Sequence, residues 1–434
     1  MRNYSIKSID GYRVVLHLSI VLLHIWFFAE IVFPHEKMLK YQSSNLFISF
    51  LLLGGTLSVD QFFCLTAFLF VRGCLKQTEA PSVLKASIKR WIRMFPILFL
   101  VLSLSFIFRV LHLDIYQFVS LLFNLQNLRF SDQFVVYFSH LWSVAVDFQS
   151  LLVLSIVIKY SWSNSKKSLY IGSIFLIAFS FVCCFFSISK MKAIIPPPIC
   201  SLLTGEYKKA SIERIPSPNY DGFSFVEEQY NFFFVYYGNP LIRFFNFGFG
   251  SLVAIYLHFY TSEDKNNNTK TVSNSFFSPI ILIVIAISIF SPLFFATSLE
   301  KMVLVQPKFF SSLIVSRIFA VFFSVFLLLS TLTPAHHFLH FPLLKRFLSL
   351  PILTFFADNT YASYVFHFPL AILLIDYGKE FFFSFESISK WLIVFTLILV
   401  PISLLLSKLL NLLIEKPFHS LVFSHFHNKM NKKY

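Results

Sequence analysis

The sequence predicts an all-α, polytopic integral membrane protein of about ten transmembrane helices, with both termini cytoplasmic. Three observations predict it. Of 434 residues, 56% are hydrophobic, 60 are Phe and only 13% are charged, a balance too apolar for an ordinary soluble domain. The apolar residues fall in runs of roughly 20, the length that crosses a bilayer. Short segments placed inside by a ten-span topology hold seventeen Lys and Arg, whereas short outer segments hold seven, the asymmetry that orients membrane proteins.

In chain order the runs lie at 12–33, 57–72, 95–111, 141–161, 168–189, 240–260, 276–296, 312–333, 356–375 and 391–414. The first carries Arg13, His17, His24 and Glu30 and lacks a small-residue cleavage site, so it reads as a retained span rather than a cleaved signal. The chain, 1–434, reads as a single membrane domain without an internal repeat. Its longest connection, the non-cytoplasmic loop 190–239, contains IPPPIC and IERIPSP, whose prolines oppose a regular helix. The net charge of +15 is scattered between spans rather than gathered into a patch, so no nucleic-acid partner is expected. Five cysteines show no metal-ligand spacing, and no metal is expected. The sequons at Asn3 and Asn267 fall on segments placed in the cytoplasm, where they would carry no glycan.

Strongly polar side chains within apolar spans are costly and tend to face a bundle interior, where they mark sites. Asp10, Arg13, His17 and His24 follow at spacings of 3, 4 and 7 and so share one helical face. Asp10 and Arg13 read as a pair near the membrane surface. His24 lies roughly 18 Å further along the helix than Tyr12, where a neutral imidazole both accepts and donates protons.

The fourth span opens HLWSVAVDFQ, residues 140–149. His140 and Asp147 are two helical turns apart on one face, with Trp142 read as an interfacial anchor. A buried Asp147 requires a partner, either an imidazole such as His24 or an arginine, and a carboxylate that holds an imidazole in one tautomer makes a general base. Arg90 and Arg93, in KRWIRMFP (89–96), stand one turn apart at the cytoplasmic surface. They serve either as a positive-inside anchor or as a fork for phosphate oxygens. His367, in the ninth span, either lines the same cavity or is a satisfied interior histidine. Asp60 reads as a brace of the second span, and Arg243 as a bracing or acceptor-side residue.

Seven segments together resemble the membrane acyltransferases of family three, in the family's order from residue 9 to about 420. IDGYR (9–13) followed by His24 is similar to the family's L-D-G-L-R and first-helix histidine. SVDQFFCLTAFL (58–69) is similar to V-D-x-F-F-x-L-S-G-F, KRWIRMFP to R-x-x-R-x-x-P, and HLWSVAVDFQ to H-x-W-S-L-x-V-E-x-Q-F. IRFFNFGFGSLVA (242–254) is similar to R-x-x-x-F-x-x-G, NTYASYVFHFPL (359–370) to S-Y-x-x-Y-x-x-H-x-P, and EKPF (415–418) to E-x-P. Asp147 stands where bacterial members usually have Glu, and Phe148 where a second Glu is common; V-D-x-Q instead resembles the animal nose-resistant-to-fluoxetine-like branch, without its cysteine-bearing extracellular domain. Thr66 and Ala67 replace the family's Ser-Gly.

The resemblance implies transfer of an acyl group, often acetyl, from acyl-coenzyme A on the cytoplasmic side to a hydroxyl of a carbohydrate or lipid-like acceptor on the other side. Acyl-coenzyme A is then a co-substrate, and no permanently bound cofactor is implied. By position, His24 would be the base, Asp147 with His140 would orient or polarise it, and Arg90 and Arg93 would hold coenzyme A phosphates. Apart from the resemblance, a loop as long as 190–239 is either functional, as an acceptor-side lid would be, or disordered. A transporter or lipid-moving protein on the same scaffold is the alternative, since intramembrane His and Asp also build proton relays. Transporters often show repeats, which are lacking here, and have little use for an arginine pair. An inactive relative is the further alternative, raised by Phe148.

Overall fold

Apolar runs in a bilayer have to satisfy their own backbone hydrogen bonds, which favours continuous helices. The computed structural model describes residues 4–77, 79–107, 113, 115–128, 136–162, 166–194, 239–266, 306–334, 337 and 339–422, and every regular element among them is helical. The long helices are α1 (Tyr4–Val32), α2 (Leu46–Cys74), α3 (Val83–Ile107), α4 (Trp142–Tyr160), α5 (Lys166–Ile194), α6 (Pro240–Asn266), α7 (Gln306–Leu332), α8 (Thr360–Tyr377) and α9 (Ile388–Leu410). Seven helices among the described residues are long and apolar enough to cross a membrane, α1 to α6 and α9 with its extension to Val422. In α7 the apolar stretch is the shorter Arg317–Leu332. The first half of α8 carries Tyr361, Ser363, Tyr364 and His367, side chains suited to other helices rather than to lipid. The expected span 276–296 and most of the loop 190–239 lie outside the described residues.

Two boundaries differ from expectation for physical reasons. Helix α2 begins at Leu46, with Asn45 as a cap whose side chain accepts from the Ile48 amide. Helix α3 begins at Val83, so KRWIRMFP lies inside the helix, which runs on through the buried Pro96. Pro96 removes the donor to the Ile92 carbonyl one turn back; two residues before the proline, the Tyr361 hydroxyl of α8 donates to the Met94 carbonyl at 3.1 Å and ties α3 to α8.

Helix α6 packs between α2 and α5, and α1 lies along α2. Water does not drive helices together within lipid, so close backbone approach matters, and small residues permit it. A side-chain carbon at Gly250 of α6 would stand 2.1 Å from the Cys64 carbonyl of α2, and one at Gly11 would stand 1.7 Å from the Leu348 carbonyl. The small residue at the α2–α6 crossing is thus supplied by Gly250, opposite Cys64 and Ala67. Helices α5 and α9 turn Phe175, Phe185, Phe186, Leu397, Leu405 and Leu413 outward, as lipid-facing helices do.

Asp60 joins three helices. Its carboxylate accepts from Arg243 and, at 2.7 Å, from Asn246, both on α6, and lies 3.9 Å from Arg317 on α7. All four side chains are buried. Arg243 also stacks its guanidinium over Trp142, 5.3 Å from the ring centroid. Trp142 is therefore an interior residue packed between Phe63 and Arg243, not an interfacial anchor. After α9 the backbone widens into a π-helical turn, Asn411–Glu415, where the Asn411 side chain donates to the Asp358 carbonyl at 3.0 Å and to Asn359 Oδ1 at 2.9 Å. That contact ties the end of α9 to the start of α8.

Candidate functional site

Three imidazoles from distant parts of the chain meet inside the bundle. His24 comes from α1, His367 from α8, and His140 from a 3₁₀ segment, Val136–Leu141, that precedes α4. His24 Nδ1 and His367 Nε2 are 2.7 Å apart. The two rings are nearly parallel, at 10°, with centroids 5.0 Å apart. The His140 ring centroid lies 5.2 Å from that of His367 and 6.1 Å from that of His24, and the ring stacks on Phe368 at 4.9 Å.

The local sequence explains why His140 reaches this centre. Phe138 departs from helical geometry, and His140 belongs to the 3₁₀ turn that follows this kink and leads into α4. Side chains fix that turn at three successive carbonyls. Tyr364 of α8 donates its hydroxyl to the His140 carbonyl at 2.6 Å, Gln126 donates to Leu141 at 3.0 Å, and Asn127 donates to Trp142 at 2.9 Å. The Tyr364 hydroxyl also meets Ser143 Oγ at 2.7 Å. Asn124, left-handed at φ 57°, turns its carbonyl to Gln149 of α4 at 2.7 Å. Neither ring nitrogen of the buried His140 completes a hydrogen bond among the described residues. The Tyr364 and Val365 backbone lies beside the ring, and Pro369 leaves the Val365 carbonyl without its helical donor.

His17 approaches the same centre but is otherwise engaged. Its Nε2 lies 2.9 Å from Ser363 Oγ, and its ring centroid is 6.2 Å from that of His367. His24 is half-buried, whereas His17, His140 and His367 are buried.

Asp147 does not join the imidazoles. Its Oδ2 accepts from Arg90 Nη2 of α3 in an ion pair, and its Oδ1 is buried without a hydrogen-bond partner among the described residues. Of the two partners the sequence allows, imidazole or arginine, the fold supplies the arginine. His140 stands in the 3₁₀ turn just before α4, against the other imidazoles, and Asp147 within α4, paired with Arg90. Arg90 and Arg93 differ in their surroundings. Arg90 is half-buried against Asp147, whereas Arg93, one helical turn further along α3, is exposed and within electrostatic reach of Glu415, Asp358 and Asp147. Arg13 shares this neighbourhood, interacting with Arg90, Arg93, Asp10 and Asp358, and its Nη1 stands 4.0 Å from Asp10 Oδ1. Acids and bases alternate here, so the region is a mixed-charge cluster rather than a purely basic one.

Along α1, Arg13 in this cluster and His24 in the imidazole centre are separated by eleven residues, roughly 16 Å of helix. Sequence reading named His24, His140, Asp147, Arg90 and Arg93. It left His367 open between site and interior, and it gave no role to Tyr364, although Tyr364 is the second tyrosine of the S-Y-x-x-Y-x-x-H-x-P resemblance and stands one turn before His367 on the same face.

A family model described as an acyltransferase domain matches residues 6–408. No curated protein and no solved structure matches the chain. The matched residues take in nearly all of α1, α2 to α8, most of α9, the imidazole centre and the charged cluster apart from Glu415, so this integral membrane protein belongs to the acyltransferase 3 family, a family of membrane acyltransferases.

Proposed function

We propose that the protein transfers an acyl group, acetyl being the favoured case, from acyl-coenzyme A to a hydroxyl of a carbohydrate or lipid-like acceptor on the opposite side of the bilayer. The chain acts as one membrane domain of ten spans with both termini cytoplasmic, and 190–239 forms a non-cytoplasmic loop over the acceptor side. The V-D-x-Q pattern supports the animal branch of the family. The observation that carries the reading is the meeting of His24, His140 and His367 within the bundle, on the same helix as the charged cluster and roughly 16 Å from it. That separation is of the order of an extended pantetheine arm, so a donor held by its phosphates at the cluster reaches the imidazoles with its thioester.

His24 takes the proton of the acceptor hydroxyl as the oxygen attacks the thioester carbonyl. The C–O bond forms, the C–S bond breaks, and the proton passes to the coenzyme A thiolate, leaving His24 neutral. His140, buried beside His24 with its ring nitrogens uncommitted, faces the reacting carbonyl rather than acting on His24 through Asp147. Arg93, being exposed, meets donor phosphate, and Arg90 is held in place by Asp147.

The test is an assay of the full chain in nanodiscs with labelled acetyl-coenzyme A against extracted glycans and lipids. The expected result is thioester loss with label transfer that His24→Ala abolishes. Equal turnover in both proteins removes His24 as the base. Substrate movement without thioester loss favours a transporter on this scaffold.

A further inference from the structure

We infer that His367 is a positioning residue that fixes the tautomer of His24, through a relay that begins at a backbone carbonyl and needs no carboxylate. This rests on the reading of His24 as the base. It differs from the common arrangement in which an acid orients the imidazole, because the acid nearest in sequence pattern, Asp147, is bound to Arg90.

The deduction follows from which atoms can donate. His367 Nδ1 lies 2.8 Å from the Tyr364 carbonyl and 3.2 Å from the Ser363 carbonyl, one turn back on its own helix. Carbonyl oxygens only accept, so Nδ1 of His367 carries a hydrogen. In the neutral ring its Nε2 is then a lone pair. The 2.7 Å contact between that Nε2 and His24 Nδ1 requires one hydrogen, which only His24 can supply. His24 is therefore protonated on Nδ1, and its Nε2 holds the lone pair that accepts a proton from substrate. The other assignment, with His367 donating from both nitrogens, places a fixed positive charge in the bundle interior and is disfavoured by desolvation. His17 does not compete for His367, since its Nε2 is directed to Ser363 Oγ at 2.9 Å.

The relay also suits the charged stage of the reaction. When His24 Nε2 takes the acceptor proton, the new imidazolium keeps its Nδ1–H bond to His367 Nε2, and the hydrogen on His367 Nδ1 remains with the Tyr364 carbonyl. The charge meets an oriented lone pair without moving any group. No proton is gained or lost by the pair over a full turnover.

The test combines spectroscopy and kinetics on the full chain in nanodiscs. In ¹⁵N-histidine-labelled protein, with the His24 signals assigned by their absence in His24→Ala, the expected pattern is a protonated Nδ1 and an unprotonated Nε2. His367→Ala is expected to lower kcat by about 10²–10³-fold with little change in KM. His367→Gln, whose amide oxygen accepts from His24 while its NH₂ donates to the Tyr364 carbonyl, is expected to restore kcat about tenfold or more above the alanine variant, which mere packing would not. A His24 protonated on Nε2, an unchanged kcat in His367→Ala, or a glutamine variant no better than alanine overturns the relay. The tautomer needs no turnover to be read: the expected tautomer in a protein with no acyl transfer removes the functional reading alone, and an active protein with the opposite tautomer removes the relay alone.

Discussion

The Arg90 guanidinium on α3 and the Asp147 carboxylate on α4 form an ion pair that holds the two helices together and keeps the acid away from the imidazoles. The Asp147 side chain is 8% exposed and that of Arg90 28%, so the pair lies between the exposed and buried limits. Removing the charge with Asp147→Asn is expected to cost about 1–3 kcal/mol of stability. It should reduce kcat far less than His24→Ala does. Thermal midpoints and steady-state rates measured on the same preparations separate the two effects; an Asp147→Asn protein of native stability with kcat as low as that of His24→Ala would return the acid to the base. In a double-mutant cycle, Asp147→Asn with Arg90→Gln should cost less than the sum of the single changes.

Arg93, exposed and not engaged in a close ion pair among the described residues, carries a different expectation. Arg93→Ala should leave the thermal midpoint within error and raise KM for the acyl donor by roughly tenfold, the loss of about one charge-assisted hydrogen bond. Unchanged KM would remove its contact with the donor.

Asp60 stands between two guanidiniums and the Asn246 amide in a dry interior. Asp60→Ala leaves buried positive charge uncompensated, with an expected loss of about 3–5 kcal/mol. Reduced yield of monodisperse protein and a lowered melting midpoint are the readouts, and a variant as stable as the parent would show that other groups balance Arg243 and Arg317.

Gly250 and Gly11 sit where backbone meets backbone. Neither carbonyl partner can move aside as a side-chain tip would, so Gly250→Ala is expected to destabilise by about 1–3 kcal/mol through separation of α2 and α6. Ala at Gly73, which has open space around it, provides the control and should be near neutral.

Tyr364→Phe deletes one hydroxyl that serves both the His140 carbonyl and Ser143 Oγ. The expected stability loss is about 1–2 kcal/mol. Because the break before α4 loses its anchor, kcat should fall more than the stability change alone suggests. Equal kcat in the two proteins would show that Gln126 and Asn127 suffice to hold His140.

Much of the helical plan was legible because the apolar runs are long and the bilayer leaves few alternatives. The helix ends were less so: Pro96 stood near the start of the expected span, yet α3 begins at Val83 and runs through it. Among site residues, His24 and His140 could be singled out as polar groups in apolar surroundings. Which partner Asp147 would meet was not readable, because it is decided by how α3 packs on α4, and Arg90 lies 57 residues earlier in the chain. The pairing of His24 with His367 was beyond any local pattern. It is decided by how α1 packs against α8, and no spacing encodes the contact of residues 343 positions apart.

That interval of 343 residues between His24 and His367 also sets a clock during biosynthesis. At a synthesis rate of about 5–20 residues per second, α1 waits roughly 17–70 s for the helix that completes the centre. During that wait α1 can pack on α2, pressed close where Gly55 meets the Ser19 carbonyl, and His140 follows, but His367 is still missing. A ribosome stalled before α8 therefore leaves behind a nascent chain that carries apolar spans but holds no assembled centre.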